Sequence, residues 1–142
     1  MLDPDCRFCS IVAGDDGGHV VFEDEVSLAF LDHRPLFPGH SLLVPREHHE
    51  TIWDLPEGLV APLFANARLL SAAVRSAMGA QGAFVAANNV VSQSVPHFHV
   101  HVVPRNRRDG LRGFFWPRTR YESDEGMRET AEAVRAAVRA LA

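Results

Sequence analysis

The spacing of apolar residues along this chain switches repeatedly between the helical and the strand period. Phe8, Ile11 and Val12 stand three and four residues apart ahead of Gly14, which predicts a short helix over Arg7–Ala13, and Asp15-Asp16-Gly17-Gly18 is a turn. His19–Glu23 and Val26–Asp32 read as two strands of a hairpin that turns at Asp24-Glu25. Pro35-Leu36-Phe37-Pro38-Gly39 is a loop, and the apolar run His40–Pro45 a third, buried strand. After a polar, irregular stretch, Leu59, Leu63, Ala67, Leu70, Val74 and Met78 give the longest helical signal, which stops at Gly79. Pro62 falls in its first turns and predicts a kink or a late start. Gly82–Ala87 and His97–Val103 are the fourth and fifth strands. Ser123-Asp124-Glu125 is an N-cap with an acidic first turn, opening a C-terminal helix that carries Met127, Ala131, Val134, Val138 and Leu141 on one side.

These elements predict an α+β fold: about five strands, mostly joined as hairpins and so antiparallel, one long inserted helix and one at the C-terminus. No repeat or linker divides the chain, which reads as a single domain over 1–142, with a C-terminal helix at 123–141. An apolar content of 46% and a charged content of 23% are ordinary for a globular protein, and no apolar run reaches the ~20 residues of a membrane span. The acidic start Met1-Leu2-Asp3-Pro4-Asp5 lacks the layout of a signal peptide, so a cytoplasmic protein without membrane attachment is expected. A net charge of −4 argues against nucleic acid as a partner. Six arginines nevertheless crowd the 105–120 segment, which reads either as a solvated loop or as a phosphate contact.

The fifth strand carries the chemistry. His97, His99 and His101 alternate with Phe98, Val100 and Val102, so a period of two puts three imidazoles on one face and an apolar row on the other. Such a row suits metal binding, nucleophilic catalysis or proton transfer. The preceding Gln93-Ser94-Val95-Pro96 supplies an amide, a hydroxyl and backbone N–H groups fit for stabilising phosphoryl oxygens. Neither a Walker-type loop nor a GxGxxG cradle is present. Cys6 and Cys9 form a Cys-x-x-Cys pair that points to metal or redox chemistry in a cytosolic chain, and alone make half a metal site.

His97-Phe98-His99-Val100-His101-Val102-Val103 resembles the motif of the histidine triad (HIT) family. Val21-Phe22-Glu23-Asp24, Leu28-Ala29-Phe30-Leu31-Asp32, Pro38-Gly39-His40, Leu43-Val44-Pro45-Arg46-Glu47-His48 and Gln93-Ser94-Val95-Pro96 match its small bacterial members in order and spacing, over a core of about 5–105. The resemblance implies a HIT-like fold, a homodimer, and cleavage at the α-phosphate of purine nucleoside 5′-phosphoryl compounds (phosphoramidates, adenylates or dinucleoside polyphosphates). His99 would be the nucleophile that forms a nucleotidyl-histidine, His101 would bond the phosphate, and Ser94 would hold the phosphoryl oxygens or leaving group. Asp32 would bind the ribose hydroxyls. Phe8, Ile11, Phe30 and Leu42 would line the base pocket, with Asn88 and Gln93 as further contacts. In the zinc-bearing branch, Cys6, Cys9, His48 and His97 would hold a structural zinc ion, with His48 preferred to the adjacent His49.

Rival readings are a nucleotide-binding regulatory module with little turnover, Ser94 as the nucleophile, and all three histidines on one catalytic zinc. The chain departs from the family's pattern at the short Val90-Val91-Ser92 loop, at Arg7 and His33 where aliphatic residues are common beside the base, and in the aromatic and arginine-rich 110–118 segment. That segment could stack on a base, grip distal phosphates or pack across a dimer.

Overall fold

The computed structural model describes residues 1–112 and 118–142. In chain order it contains α1 (Arg7–Ala13), β1 (Val20–Glu23), β2 (Ser27–Leu31), β3 (Ser41–Pro45), a 3₁₀ turn at Ile52–Asp54, α2 (Glu57–Ala77), β4 (Gly82–Ala86), β5 (Val100–Arg105) and α3 (Asp124–Leu141). The five strands form one antiparallel sheet in the order β1-β2-β3-β5-β4, which is the expected α+β architecture.

The chain divides into two compact units, Met1–Asp109 and Gly110–Ala142. The first holds the sheet, α1 and α2. The second holds α3, whose N-cap Ser123 accepts a hydrogen bond from the Gly126 N–H at 3.0 Å and whose Glu132 pairs with Arg135 and Arg139. Residues 113–117, and with them Phe114, Phe115 and Trp116 of the 110–118 segment, lie outside the described residues.

Side-chain alternation in the strands separates two cores. Ala29, Leu43, Phe98, Val100 and Val102 face α2, where Leu63, Ala67, Leu70 and Val74 cover them. Leu28, Phe30, Leu42 and Val44 face the other way and pack with Cys6, Phe8, Cys9 and Ile11 of the α1 region. α2 ends in a Schellman motif, with Gly79 at φ +61°, its N–H on the Ser76 carbonyl and the Ala80 N–H on the Arg75 carbonyl. α2 runs from Glu57 with Pro62 inside it, so the helix neither starts late nor stops at the proline.

Several strands are a residue or so shorter than the sequence reading, and both ends of β5 differ from it. β5 begins at Val100 and not at His97, because the Phe98 N–H is donated to the His49 carbonyl at 2.6 Å and the His97 N–H to the Val95 carbonyl at 2.8 Å. Pro104 lies inside β5 and not beyond it. The β3–β5 pairing runs only as far as Ser41↔Val102, so among the described residues no strand pairs with Pro104 on that side whose ladder a missing N–H would break.

Candidate active site

The α1 face of the sheet gathers the chemistry-bearing residues by parity alone. Phe30 pairs with Leu42, and Leu42 pairs with His101, so these three form a row across β2, β3 and β5. Two residues along from Phe30 stands Asp32, and two before Leu42 stands His40, each just outside its strand. The Asp32 N–H donates to the His40 carbonyl at 2.9 Å, which keeps the two in register past the strand ends. A tight turn delivers His40. Its N–H bonds the Phe37 carbonyl, Pro38 occupies the second turn position, and Gly39 takes φ +97° in the third, the type II arrangement. Any Cβ at Gly39 would also come within 2.6 Å of the Met78 side chain.

Hydrogen bonds to the backbone decide which nitrogen of each imidazole carries the proton. His99 Nδ1 lies 2.7 Å from the His97 carbonyl, which can only accept, so Nδ1 is protonated and Nε2 is bare in the neutral ring. The opposite tautomer is imposed on His101 through His40. The Leu36 N–H donates to His40 Nδ1 at 3.0 Å, so the proton of neutral His40 sits on Nε2, which donates to His101 Nδ1 at 2.9 Å. His101 therefore carries its own proton on Nε2. Asp32 Oδ2, 3.6 Å from His40 Nε2, favours the protonated side of this contact.

Burial keeps these rings neutral. Loss of hydration pushes His101 down to about 4, assisted by neighbouring His99 and His40, and lowers His99 and His40 as well. The result is a bare nitrogen on His99 and an N–H donor on His101, with ring centroids 5.0 Å apart.

Both rings open onto a cleft of about 280 Å³. Phe8, Ile11, Phe30 and Leu42 supply its apolar wall, and Asp32 and Ser94 also line it. The Phe8 ring meets His99 edge-on at 5.1 Å and Phe30 at 5.2 Å, which fixes the His99 ring against the wall. Asn88 and Gln93 are not among the lining residues. Gln93 clamps its own loop, accepting from the Val90 N–H at 2.9 Å and donating to the Glu50 carbonyl at 2.6 Å. Asn89 accepts from the Ile52 N–H at 2.7 Å. In this short loop Val90 and Ser92 sit at φ +70° and +62°, conformations costly for side-chain-bearing residues and for a β-branched valine above all.

The sequence reading assigned no role to His40, although it stands in the matched Pro38-Gly39-His40. The signal available was its place two residues from Leu42, on the same face as the triad.

A second cluster lies beneath the first. Cys6 Sγ and Cys9 Sγ each lie 3.5 Å from His97 Nδ1, and Cys9 Sγ lies 3.4 Å from His48 Nδ1. All four donors fall within 4.8 Å of one another, and His49 is not in the group. Metal–ligand distances of ~2.3 Å to sulfur and ~2.0 Å to nitrogen give a tetrahedron sulfur–nitrogen edges of roughly 3.5 Å, so these residues fit a tetrahedral ion. His97 Nε2 donates to the Pro45 carbonyl at 2.9 Å, leaving Nδ1 bare and aimed at both sulfurs. Cys6 and Cys9 are brought to the site because the first caps α1 and the second lies one turn on.

These buried imidazoles carry a pH prediction. Folding lowers His97 and His101 from 6.5 to about 4, so between those values the unfolded chain binds more protons. Stability is thus fully present above about pH 7 and declines as pH falls from about 6.5 towards 4, by up to ~1.4 kcal/mol per pH unit for each ring. A metal on His97 steepens the decline, since the proton must displace it. Urea midpoints at pH 7.5, 6 and 5 check this, and identical midpoints would contradict it.

The HIT domain family matches residues 14–108. The Arabidopsis thaliana adenylylsulfatase HINT3 is 36% identical over 112 residues, 78% of this chain and 57% of that protein, so the chain spans little more than half its length. The Schizosaccharomyces pombe adenosine 5′-monophosphoramidase hnt1 is 34% identical over 114 residues, 79% of this chain and 83% of that protein. A zinc-bound histidine triad family protein from Mycobacterium smegmatis has a similar structure, with a TM-score of 0.72 and 35% identity over 94% of this chain and 97% of that one. With the triad motif, the sheet and these relatives in agreement, the chain belongs to the histidine triad (HIT) family.

Proposed function

We propose that the protein cleaves purine nucleoside 5′-phosphoryl compounds at the α-phosphate, as a hydrolase or nucleotidyl transferase working through a covalent nucleotidyl-histidine. The observation that carries this reading is the pair of opposite tautomers on neighbouring rings. His99 Nε2, with a free electron pair, attacks the α-phosphorus. The bond to the leaving group breaks, that group takes its proton from water in the cleft, and the His101 Nε2–H donates to the phosphoryl oxygen on which charge gathers. Water or another acceptor then attacks the phosphorus, the bond to His99 Nε2 breaks, the acceptor's proton passes to solvent, and the nucleoside monophosphoryl group leaves on the acceptor. Ser94 holds the phosphoryl oxygens or leaving group, Asp32 accepts from the ribose hydroxyls, and Phe8, Ile11, Phe30 and Leu42 flank the base. Relatives named as an adenylylsulfatase and an adenosine 5′-monophosphoramidase support this substrate class.

Zinc on Cys6, Cys9, His48 and His97 is structural in this reading, since four protein donors leave no open position. The zinc-bound neighbour supports it. A homodimer is supported by the edge position of β4 and by exposed Leu69 on α2 and Val85 on β4. No helix among the described residues is long and apolar enough to cross a membrane.

A panel of AMP and GMP phosphoramidates, adenylates and dinucleoside polyphosphates, assayed for monophosphate release, tests the proposal. Binding without release from any member would favour a regulatory nucleotide-binding module instead. His40 gives a finer prediction. His40→Ala removes the group that sets the tautomer of His101, so kcat falls by roughly ten- to a hundredfold with little change in KM. An unchanged kcat in this variant would contradict the assignment of the His101 Nε2–H as the donor to the phosphoryl oxygen.

A further inference from the structure

The polar lining of the cleft falls into two groups. Asp32, Ser94, His99 and His101 are used by the chemistry above. Arg7, Asp16, His19 and His33 line the same cleft and are not, and of these Arg7 and Asp16 are paired with each other. We propose that Arg7 and Asp16 read the base and make guanine the preferred one. The inference rests on the cleft being a nucleotide site, as proposed above, and adds the identity of the base.

The two side chains are held side by side. Arg7 Nε lies 3.5 Å from Asp16 Oδ2, between the first residue of α1 and the turn that follows it. That turn is fixed from below, since the Ser10 carbonyl accepts the Asp15 N–H at 2.9 Å and the Asp16 N–H at 3.4 Å. Gly18 in the same turn lies so close to Ile11 that an added Cβ would come within 2.9 Å of its side chain. The Arg7–Asp16 pair is therefore placed by backbone against the apolar wall that Phe8 and Ile11 build. Its side chains are 54% and 45% exposed, and pairs this wet contribute little to folding. Stability therefore does not account for an ion pair in the wall of this cleft.

Its hydrogen-bonding pattern points to guanine. The Watson–Crick edge of guanine presents one acceptor, O6, beside two donors, N1–H and the N2 amino group. A guanidinium beside a carboxylate presents a donor beside two acceptors, which complements all three groups at once. Adenine offers only an amino donor beside the N1 acceptor, in the reverse order. It satisfies at most one bond to each side chain and only after turning over. An apolar pocket alone cannot separate the two purines, whereas one built to hydrogen-bond a base edge penalises the base that leaves its groups unpaired.

Equilibrium titration of the full chain with GMP and with AMP tests the inference without depending on turnover. The expected result is GMP bound about tenfold more tightly than AMP, with the ratio falling to about one in Asp16→Asn and in Arg7→Leu. Equal affinities in the unmodified protein, or a GMP preference that survives Asp16→Asn, would overturn it. A GMP preference that Asp16→Asn abolishes, in a protein that releases no monophosphate from either phosphoramidate, would leave the base-reading pair standing and refute the catalytic proposal. The two failures are thereby distinguishable.

Discussion

Replacing His99 with alanine is expected to lower kcat by about 10⁴-fold or more while changing purine nucleotide affinity by less than about threefold. The asymmetry follows from what the ring touches. His99 Nδ1 is spent on the His97 carbonyl, and the ring face is packed by Phe8, so only Nε2 remains for a ligand. In the proposed function, ribose and base recognition rest on Asp32, Phe30 and Leu42, which lie on or just beyond other strands and are not tied to His99. Burial also keeps the ring neutral below its ordinary pKa, so the nucleophile stays available on the acid side of pH 6.5. Turnover that persists in His99→Ala would transfer the nucleophile to Ser94 or to a metal-bound water.

The second large effect is on stability. If the proposed structural zinc is held, changing both Cys6 and Cys9 to serine is expected to abolish zinc binding and to cost about 3–5 kcal/mol, a fall in Tm of roughly 10 °C or more. The four donors come from α1 and its N-cap, from the segment after β3 and from the approach to β5, so an ion held by them would tie the N-terminus and a long loop to the triad. Without it, two buried thiols and two imidazoles share a pocket in which burial already pushes the Cys9 thiol up. Activity per folded molecule should largely survive, because the Pro45 carbonyl still holds the His97 ring and the His97 carbonyl still orients His99. Retention of both zinc and Tm would instead place a metal on the histidines alone.

Much of this site was legible in the sequence because strand parity is local information. His97, His99 and His101 alternate with residues buried against α2, and the same period-two count carries Asp32 and Phe30 to the histidine face. The Cys-x-x-Cys pair was readable as half of a metal site, but its partners, His48 and His97, lie about 40 and 90 residues away and were placed only by resemblance. His40 was harder still. Its role arises from the Leu36 N–H on one side and a cross-strand neighbour on the other, a combination that no spacing rule contains. The start of β5 was misplaced for a similar reason. An extended, alternating sequence resembles a strand whether its N–H groups meet a neighbouring strand or, as at Phe98, the carbonyl of His49 in a loop. Pro62 reads locally as a kink or a late helix start, yet the burial of Leu63, Ala67, Leu70 and Val74 against the sheet holds α2 together around it.

The most direct test of the central claim is to mix the protein with an AMP or GMP phosphoramidate, quench within a single turnover, and measure intact and peptide masses. A nucleotidyl adduct on the peptide carrying His99, labile to acid, present in the unmodified protein and absent from His99→Ala, is the predicted result. Monophosphate released at the same rate with no adduct at any quench time, or an adduct found on Ser94, would contradict it.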